Sequence, residues 1–167
     1  CRPGMHEFEI EAELQYVFRK HGAVASYEPI VGGGGNACVL HYRNNDAPLA
    51  NGELLLIDAG AEFQGYASDI TRTFPINGSY SREQRALHDL VEAAQQAAMA
   101  QVLPGNAWIA PHDAAVEVLT EGMLRLGLLK GSLKDALAKE SYRRFYMHKT
   151  GHWLGLDVHD VGDYRVG

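Results

Sequence analysis

An α+β fold built on a repeated helix-plus-hairpin unit is what this 167-residue sequence predicts, on three observations. Residues 54–76 hold two apolar, β-prone runs around a short polar break at Glu62 to Gly65, the pattern of a β-hairpin. Three other stretches carry apolar residues at helical spacing. Pro-Gly, a few residues, an amphipathic helix and a closing glycine occur at Pro3-Gly4 to Gly22 and again at Pro104-Gly105 to Gly127, a coarse internal repeat.

The first helix follows Arg2-Pro3-Gly4. Ile10, Leu14, Val17 and Phe18 give it an apolar stripe, Glu7, Glu9 and Glu11 sit towards the end where the helix dipole favours anions, and Gly22 lies past its close. Residues 26–42 read as loop and short strand, with Gly32-Gly33-Gly34-Gly35-Asn36 breaking the chain before the apolar run Ala37 to Tyr42. That glycine run lacks the Gly-Lys-Ser/Thr ending of a phosphate cradle, and no helix follows it. His41 closes the apolar run as a strand-end histidine. Turns at residues 44–48 and at Asn51-Gly52 lead into the hairpin.

Beyond Pro75, Ser81-Arg-Glu83-Gln84 resembles a capping box and opens a helix to about Gln101, with Leu87, Leu90, Val91, Ala94, Ala98 and Val102 inward. Leu103-Pro104-Gly105 ends it. The third helix runs from His112 or Asp113 to Leu126.

Composition narrows the function. With 46% hydrophobic and 22% charged residues the chain is an ordinary globular domain with a sizeable core. Its formal net charge of -6 and lack of a Lys/Arg cluster point away from nucleic acid and anionic membranes. No apolar run approaches the roughly 18 residues that span a bilayer. No export signal opens the sequence, so a cytoplasmic location is expected. Cys1 and Cys38 are too few for a disulfide framework or a thiolate zinc cluster. An opening Cys and an abrupt close at Gly167 suggest a section of a larger protein, and a duplicated unit leads one to expect a second acidic hairpin after that residue.

Each run of the hairpin carries one aspartate. Antiparallel partners have a constant sum of residue numbers, so a two-residue loop at Phe63-Gln64 sets Asp58 opposite Asp69. A loop at Gln64-Gly65 leaves them diagonal neighbours on the same face. Either way two carboxylates repel unless a cation or a shared proton lies between them. Asp58 also follows Leu-Leu-Leu-Ile, where a lone charge is costly. The pair reads as half of a metal site.

The second chemical cluster is Met-His148-Lys-Thr-Gly151-His152-Trp-Leu-Gly155-Leu-Asp157-Val-His159-Asp160, three histidines within twelve positions. His148 and His152 have the i, i+4 spacing of a helical metal pair. However, Lys149 stands where a His-Glu-x-x-His zinc helix needs glutamate, and Gly151 and Gly155 disfavour helix. A glycine-punctuated strand or loop fits better. Strand alternation would put His152 and His159 on opposite parities, free to do different jobs. His152, beside glycine, reads as an imidazole ligand joining the carboxylates.

Together these residues resemble the metal-dependent Xaa-Pro aminopeptidases, relatives of prolidase and methionine aminopeptidase that share the creatinase or pita-bread fold. The resemblance runs from Cys1-Arg-Pro-Gly-Met-His-Glu through Ile30-Val-Gly, Leu40-His41-Tyr, Ile57-Asp58-Ala-Gly and Asp69-Ile-Thr71-Arg-Thr-Phe-Pro to His152-Trp-Leu-Gly-Leu-Asp-Val-His159-Asp. It implies duplicated helix-plus-hairpin halves around a curved antiparallel sheet, with residues 1–167 a partial pita-bread catalytic domain. It implies two divalent ions, usually manganese, with Asp58 on one ion, Asp69 bridging both and His152 on the second. A bridging water or hydroxide would attack the carbonyl before proline.

The resemblance also gives roles to other residues. His41 and His159 match residues that contact the scissile region and the tetrahedral intermediate, His148 matches part of the proline pocket, and Thr71 supports the Asp69 side. Peptides with proline in second position are the implied substrates, and a homo-oligomer the implied full-length assembly. Two glutamate ligands of the family, and its amino-terminal domain, have no counterpart in these residues. Little peptidase activity is therefore expected from this stretch alone. Prolidase activity is the alternative on the same residues, and a non-catalytic peptide-binding module the alternative of another class. Retention of Asp58, Asp69, His152, His41 and His159 together favours the enzyme, and the aspartate pair speaks against metal-free creatinase-like chemistry.

Overall fold

The computed structural model describes residues 1–164, which form two compact units. The first comprises Cys1–Ser81 with His152–Asp163, and the second Arg82–Gly151 with Tyr164. Among the described residues no helix is long and apolar enough to cross a membrane.

In the first unit, helix α1 (Glu7–Lys20) begins where the His6 amide donates to Glu9 Oε2 at 2.6 Å. Its basic last turn, Arg19 and Lys20, faces the negative end of the helix dipole. The apolar stripe is narrower than predicted: Ile10 is buried and Leu14 packs beside it, whereas Val17 is exposed. Glu7, an acidic residue of the first turn, is wholly buried.

Strand β1 (Val24–Ala25) and strand β4 (Ala61–Glu62) pair antiparallel, while β2 (Ile30–Gly33), β3 (Leu54–Ala59) and β5 (Ile70–Pro75) form a three-stranded antiparallel sheet in the order β2-β3-β5. Val31, Leu55 and Ile57 turn to the α1 side, closing a core with Ile10, Leu49 and Ile76. Alternation along β3 then turns Asp58 to the other face. Gln64 and Gly65, at φ 53° and 83°, make the hairpin turn between Phe63 and Tyr66. Asp58 consequently lies across from Thr71, the second of the two registers open to the sequence.

The segment following β2 differs from its prediction. The strand is Ile30–Gly33, where a break was expected. Gly34–Cys38 is a 3-10 helix and residues 39–42 form no strand. His41 is therefore a loop residue in the left-handed region, φ 55°, and not a strand end.

The second unit is helical: α2 (Arg82–Met99), α3 (Ala110–Arg125), the short α4 (Leu133–Ala138) and a 3-10 turn, Ser141–Arg144. Leu90, Ala94 and Ala98 of α2 meet Ala115, Leu119 and Met123 of α3. Leu90 lies directly over Gly122, where a Cβ would force the leucine side chain to shift. Leu87, Val91 and Val102, predicted inward, are exposed, because one narrow stripe of α2 suffices for this contact. The glycines of the repeat match in conformation: Gly4 and Gly105 both have φ 89°, and Gly22 and Gly127 both have φ 75°. Each pair performs the same turn before or after its helix, α1 or α3, as duplication predicts.

Candidate metal centre

Asp58 and Asp69 share a face, and a residue that sequence reasoning passed over lies between them. The Tyr27 hydroxyl reaches Asp58 Oδ1 at 2.6 Å and Asp69 Oδ1 at 3.0 Å. Its placement follows from a bulge. Ser26 N–H bonds to the Gly60 carbonyl and Ile30 pairs with Asp58, so residues 27–29 stand against Ala59 alone. The excess backbone throws Tyr27 towards the carboxylates. Burial, then Asp58, then Asp69 push the Tyr27 phenol far up, so it stays a proton donor to the pair. Pro29 near a strand was the available signal, since proline marks bulges and edges.

The hairpin is tightest at Gly60, where an added Cβ would lie 1.6 Å from the Ser68 carbonyl oxygen. Ser68 Oγ bonds both N–H and carbonyl of Ala61, and Ser26 Oγ donates to the Ser68 carbonyl at 2.7 Å. These contacts fix the backbone leading into Asp69.

His152 comes from the loop 151–163, which is neither helix nor strand, as its glycines predict. Asp160 accepts from the amides of Leu156 and Val161, and the Ala67 amide donates to the Gly155 carbonyl, docking the loop on the hairpin. His152 Nδ1 donates to the Trp153 carbonyl at 2.8 Å. That bond fixes the tautomer and turns Nε2 towards Asp69 Oδ2, 3.0 Å away. A ring lone pair and a carboxylate oxygen at that distance repel unless a proton or cation is shared between them. Two carboxylates and an imidazole are the donor types that a divalent ion takes, and the close approach of His152 to Asp69 fits one.

The remaining predicted residues are distributed as follows. His159 stacks on His152 with ring centroids 3.9 Å apart, so the two histidines act side by side; strand parity does not separate them because the loop is no strand. Thr71 stands opposite Asp58. His41 is exposed on the loop between β2 and β3. His148 belongs to the second unit, where its Nδ1 donates to the Lys149 carbonyl and it lines a hollow of about 110 Å³ with His112, Tyr142 and Tyr146. A larger hollow of about 500 Å³ runs beside α1 and shares only Tyr27 with the carboxylate site.

One further donor trio exists among the described residues. His88, Asp89 and Glu92 on α2 bring ligand atoms within 4.8 Å of one another, closer than Asp58, Asp69 and His152, in which Asp69 stands between Tyr27-linked Asp58 and His152. Asp89 and Glu92 are exposed, and Arg85 lies 3.7 Å from Asp89, the arrangement of an ordinary charged helix face.

Residues 1–166 match metallopeptidase family M24. The chain is 51% identical over 164 residues to the Xaa-Pro aminopeptidase of Haemophilus influenzae, covering 98% of this chain and 38% of that protein. It is 45% identical over 165 residues to the Xaa-Pro aminopeptidase of Escherichia coli, covering 98% and 37%. Among solved structures it superposes on aminopeptidase PepP of Pseudomonas aeruginosa with TM-score 0.99 and 56% identity, over 100% of this chain and 38% of that one. Zinc-substituted Escherichia coli aminopeptidase P in complex with product gives TM-score 0.96 and 45% identity, over 98% and 38%. The chain thus spans 38% or less of the length of these curated relatives. Agreement over the whole chain bears out the pita-bread fold expected from the sequence.

Proposed function

Because the chain belongs to metallopeptidase family M24, we propose that it carries the Asp58, Asp69 and His152 part of a divalent-metal centre in an aminopeptidase that releases the residue before a proline. The observation that carries this reading is the convergence of His152 Nε2 and the Tyr27-linked carboxylates on one face of the hairpin. The similarity to Xaa-Pro aminopeptidases supports the substrate class.

Asp58, Asp69 and His152 would hold the metal, in a site for two ions. Carboxylate-dominated donors favour a hard cation, manganese above zinc. Bound there, such an ion supplies Lewis acidity and acidifies water for attack on a peptide carbonyl. The protein's own groups do the rest. The Trp153 carbonyl holds the His152 ring with Nε2 presented. Tyr27 holds the two carboxylates in register. His159, stacked on His152, and His41, from the loop after β2, carry N–H donors for the substrate carbonyl oxygen as charge develops on it. Two exposed unpaired thiols, Cys1 and Cys38, suit a reducing cytoplasm.

The test is release of the amino-terminal residue from a tripeptide with proline second by the full-length protein, with manganese and after chelation. Turnover should vanish on chelation and fall by about a hundredfold or more in Asp69→Asn. A dipeptide cleaved in preference to the tripeptide would convert the assignment to prolidase. Saturable peptide binding without cleavage, in metal-loaded protein, would favour a binding module.

A further inference from the structure

Glu7 is the most deeply placed charge in the first unit and lies outside the metal centre. Its carboxylate accepts four hydrogen bonds: at Oε1 from Gly33 N (2.7 Å) and Asn36 Nδ2 (3.0 Å), at Oε2 from Tyr42 OH (2.9 Å) and Ala47 N (3.0 Å). All four donors come from the stretch 33–47, and they fall at its start, middle and end. Burial raises the pKa of a carboxyl, but these bonds outweigh it and hold Glu7 below the ordinary value, ionised at neutral pH.

That stretch carries His41, whose left-handed backbone, φ 55°, is a conformation that persists only where the surroundings impose it. The residue after it, Tyr42, is one of the four donors. Asn45, also left-handed at φ 47°, is a second latch. It donates to Glu11 Oε2 and the Pro29 carbonyl and accepts from Val31 N. The start of α1 is itself stitched to the far end of the stretch, Glu7 N to the Ala47 carbonyl and Leu49 N to the Met5 carbonyl. The loop is thus folded around a carboxylate of the helix.

We infer that Glu7 is a positioning residue for His41: its carboxylate is the internal acceptor around which the loop 33–47 closes, and it sets where the His41 imidazole is presented. The inference rests on the reading of His41 as a substrate-contacting donor. A carboxylate is required in place of an amide because all four neighbours are donors. In Glu7→Gln the NH₂ group would face the Ala47 N–H, and one side of the loop would come loose.

A double-mutant cycle tests this in the manganese-loaded full-length protein. Glu7→Gln should lower kcat about ten- to a hundredfold, as a displacement of about an ångström does, with KM and metal content held within about twofold. In a His41→Ala background the same substitution should change kcat by less than about twofold, because the group it positions is gone. Equal losses in both backgrounds would overturn the inference and leave Glu7 a purely structural residue. Tyr42→Phe, which removes one donor and keeps the ring, should slow kcat in the same direction by less.

The His41 ring proton resonances, followed by NMR without substrate, should shift in both Glu7→Gln and Tyr42→Phe. Unmoved resonances would overturn the inference even where no turnover is measured. Unchanged kcat in His41→Ala alone would instead sink the assignment of His41, and this inference with it, a result distinguishable from the others.

Discussion

At the scale of single residues, the site is governed by which proton stands between which oxygens. Tyr27 supplies one hydroxyl to two carboxylates, and His152 turns one ring nitrogen to a carbonyl so that the other meets Asp69. In metal-free protein the hydroxyl relieves Asp58–Asp69 repulsion, and a bound cation would take over that task. Tyr27→Phe should therefore destabilise the chelated protein by about 2 kcal/mol, the worth of a hydrogen bond to a charged group, and the manganese-loaded protein by visibly less. Thermal unfolding with and without chelator reads the difference, and equal losses would mean that Tyr27 serves only packing. The aspartates were legible because two charges at hairpin spacing in apolar runs need a counterion. Tyr27 was not, since a tyrosine thirty-one residues before Asp58 meets it only through a bulge whose length no local pattern specifies.

At the scale of elements, backbone contacts join the turn end of the hairpin β3–β5 and dock the loop 151–163 on it. Gly60 allows the strands to touch at Ser68, and no other residue fits the 1.6 Å that a Cβ would have. Gly60→Ala should cost about 3 kcal/mol through overpacking against backbone, and should weaken manganese affinity, because relief requires moving the strand that leads to Asp69. Denaturant unfolding with metal titration checks both, and an unchanged affinity would show that the strand absorbs the methyl without displacing Asp69. Alternation revealed the hairpin and left two registers; the Gln64-Gly65 turn selected one. Residues 37–42 were misread as strand because an apolar run ending in tyrosine looks β-prone. Their backbone is instead drawn into a loop by Glu7, a contact between segments about thirty residues apart.

At the scale of the molecule, two units carry two separate cores, and matching glycine conformations at Gly4 and Gly105, and at Gly22 and Gly127, tie α1 to α3 as copies of one design. Global stability should carry the signature of Glu7. Its carboxyl lies below the ordinary 4.5 in the folded chain, so the folded state binds that proton less readily than the unfolded chain does. The stabilisation is complete above about pH 4.5 and disappears as pH falls through the folded value. The stability difference between wild type and Glu7→Gln should accordingly narrow below pH 4.5 in chemical denaturation, and a constant difference would show that the charge of Glu7 is immaterial. The sequence by itself determined the three long helices, the hairpin and the repeat, and brought Asp58, Asp69 and His152 forward as candidate donors, since these depend on periodicities and charge pairings within a few residues, or on a motif shared along the whole chain. Tertiary structure alone decided that Tyr27 links the aspartates, that His159 stacks on His152, and that a helix carboxylate shapes the His41 loop. Each is a contact between distant segments, fixed by a bulge, a docked loop or a buried acceptor, and no local spacing encodes it.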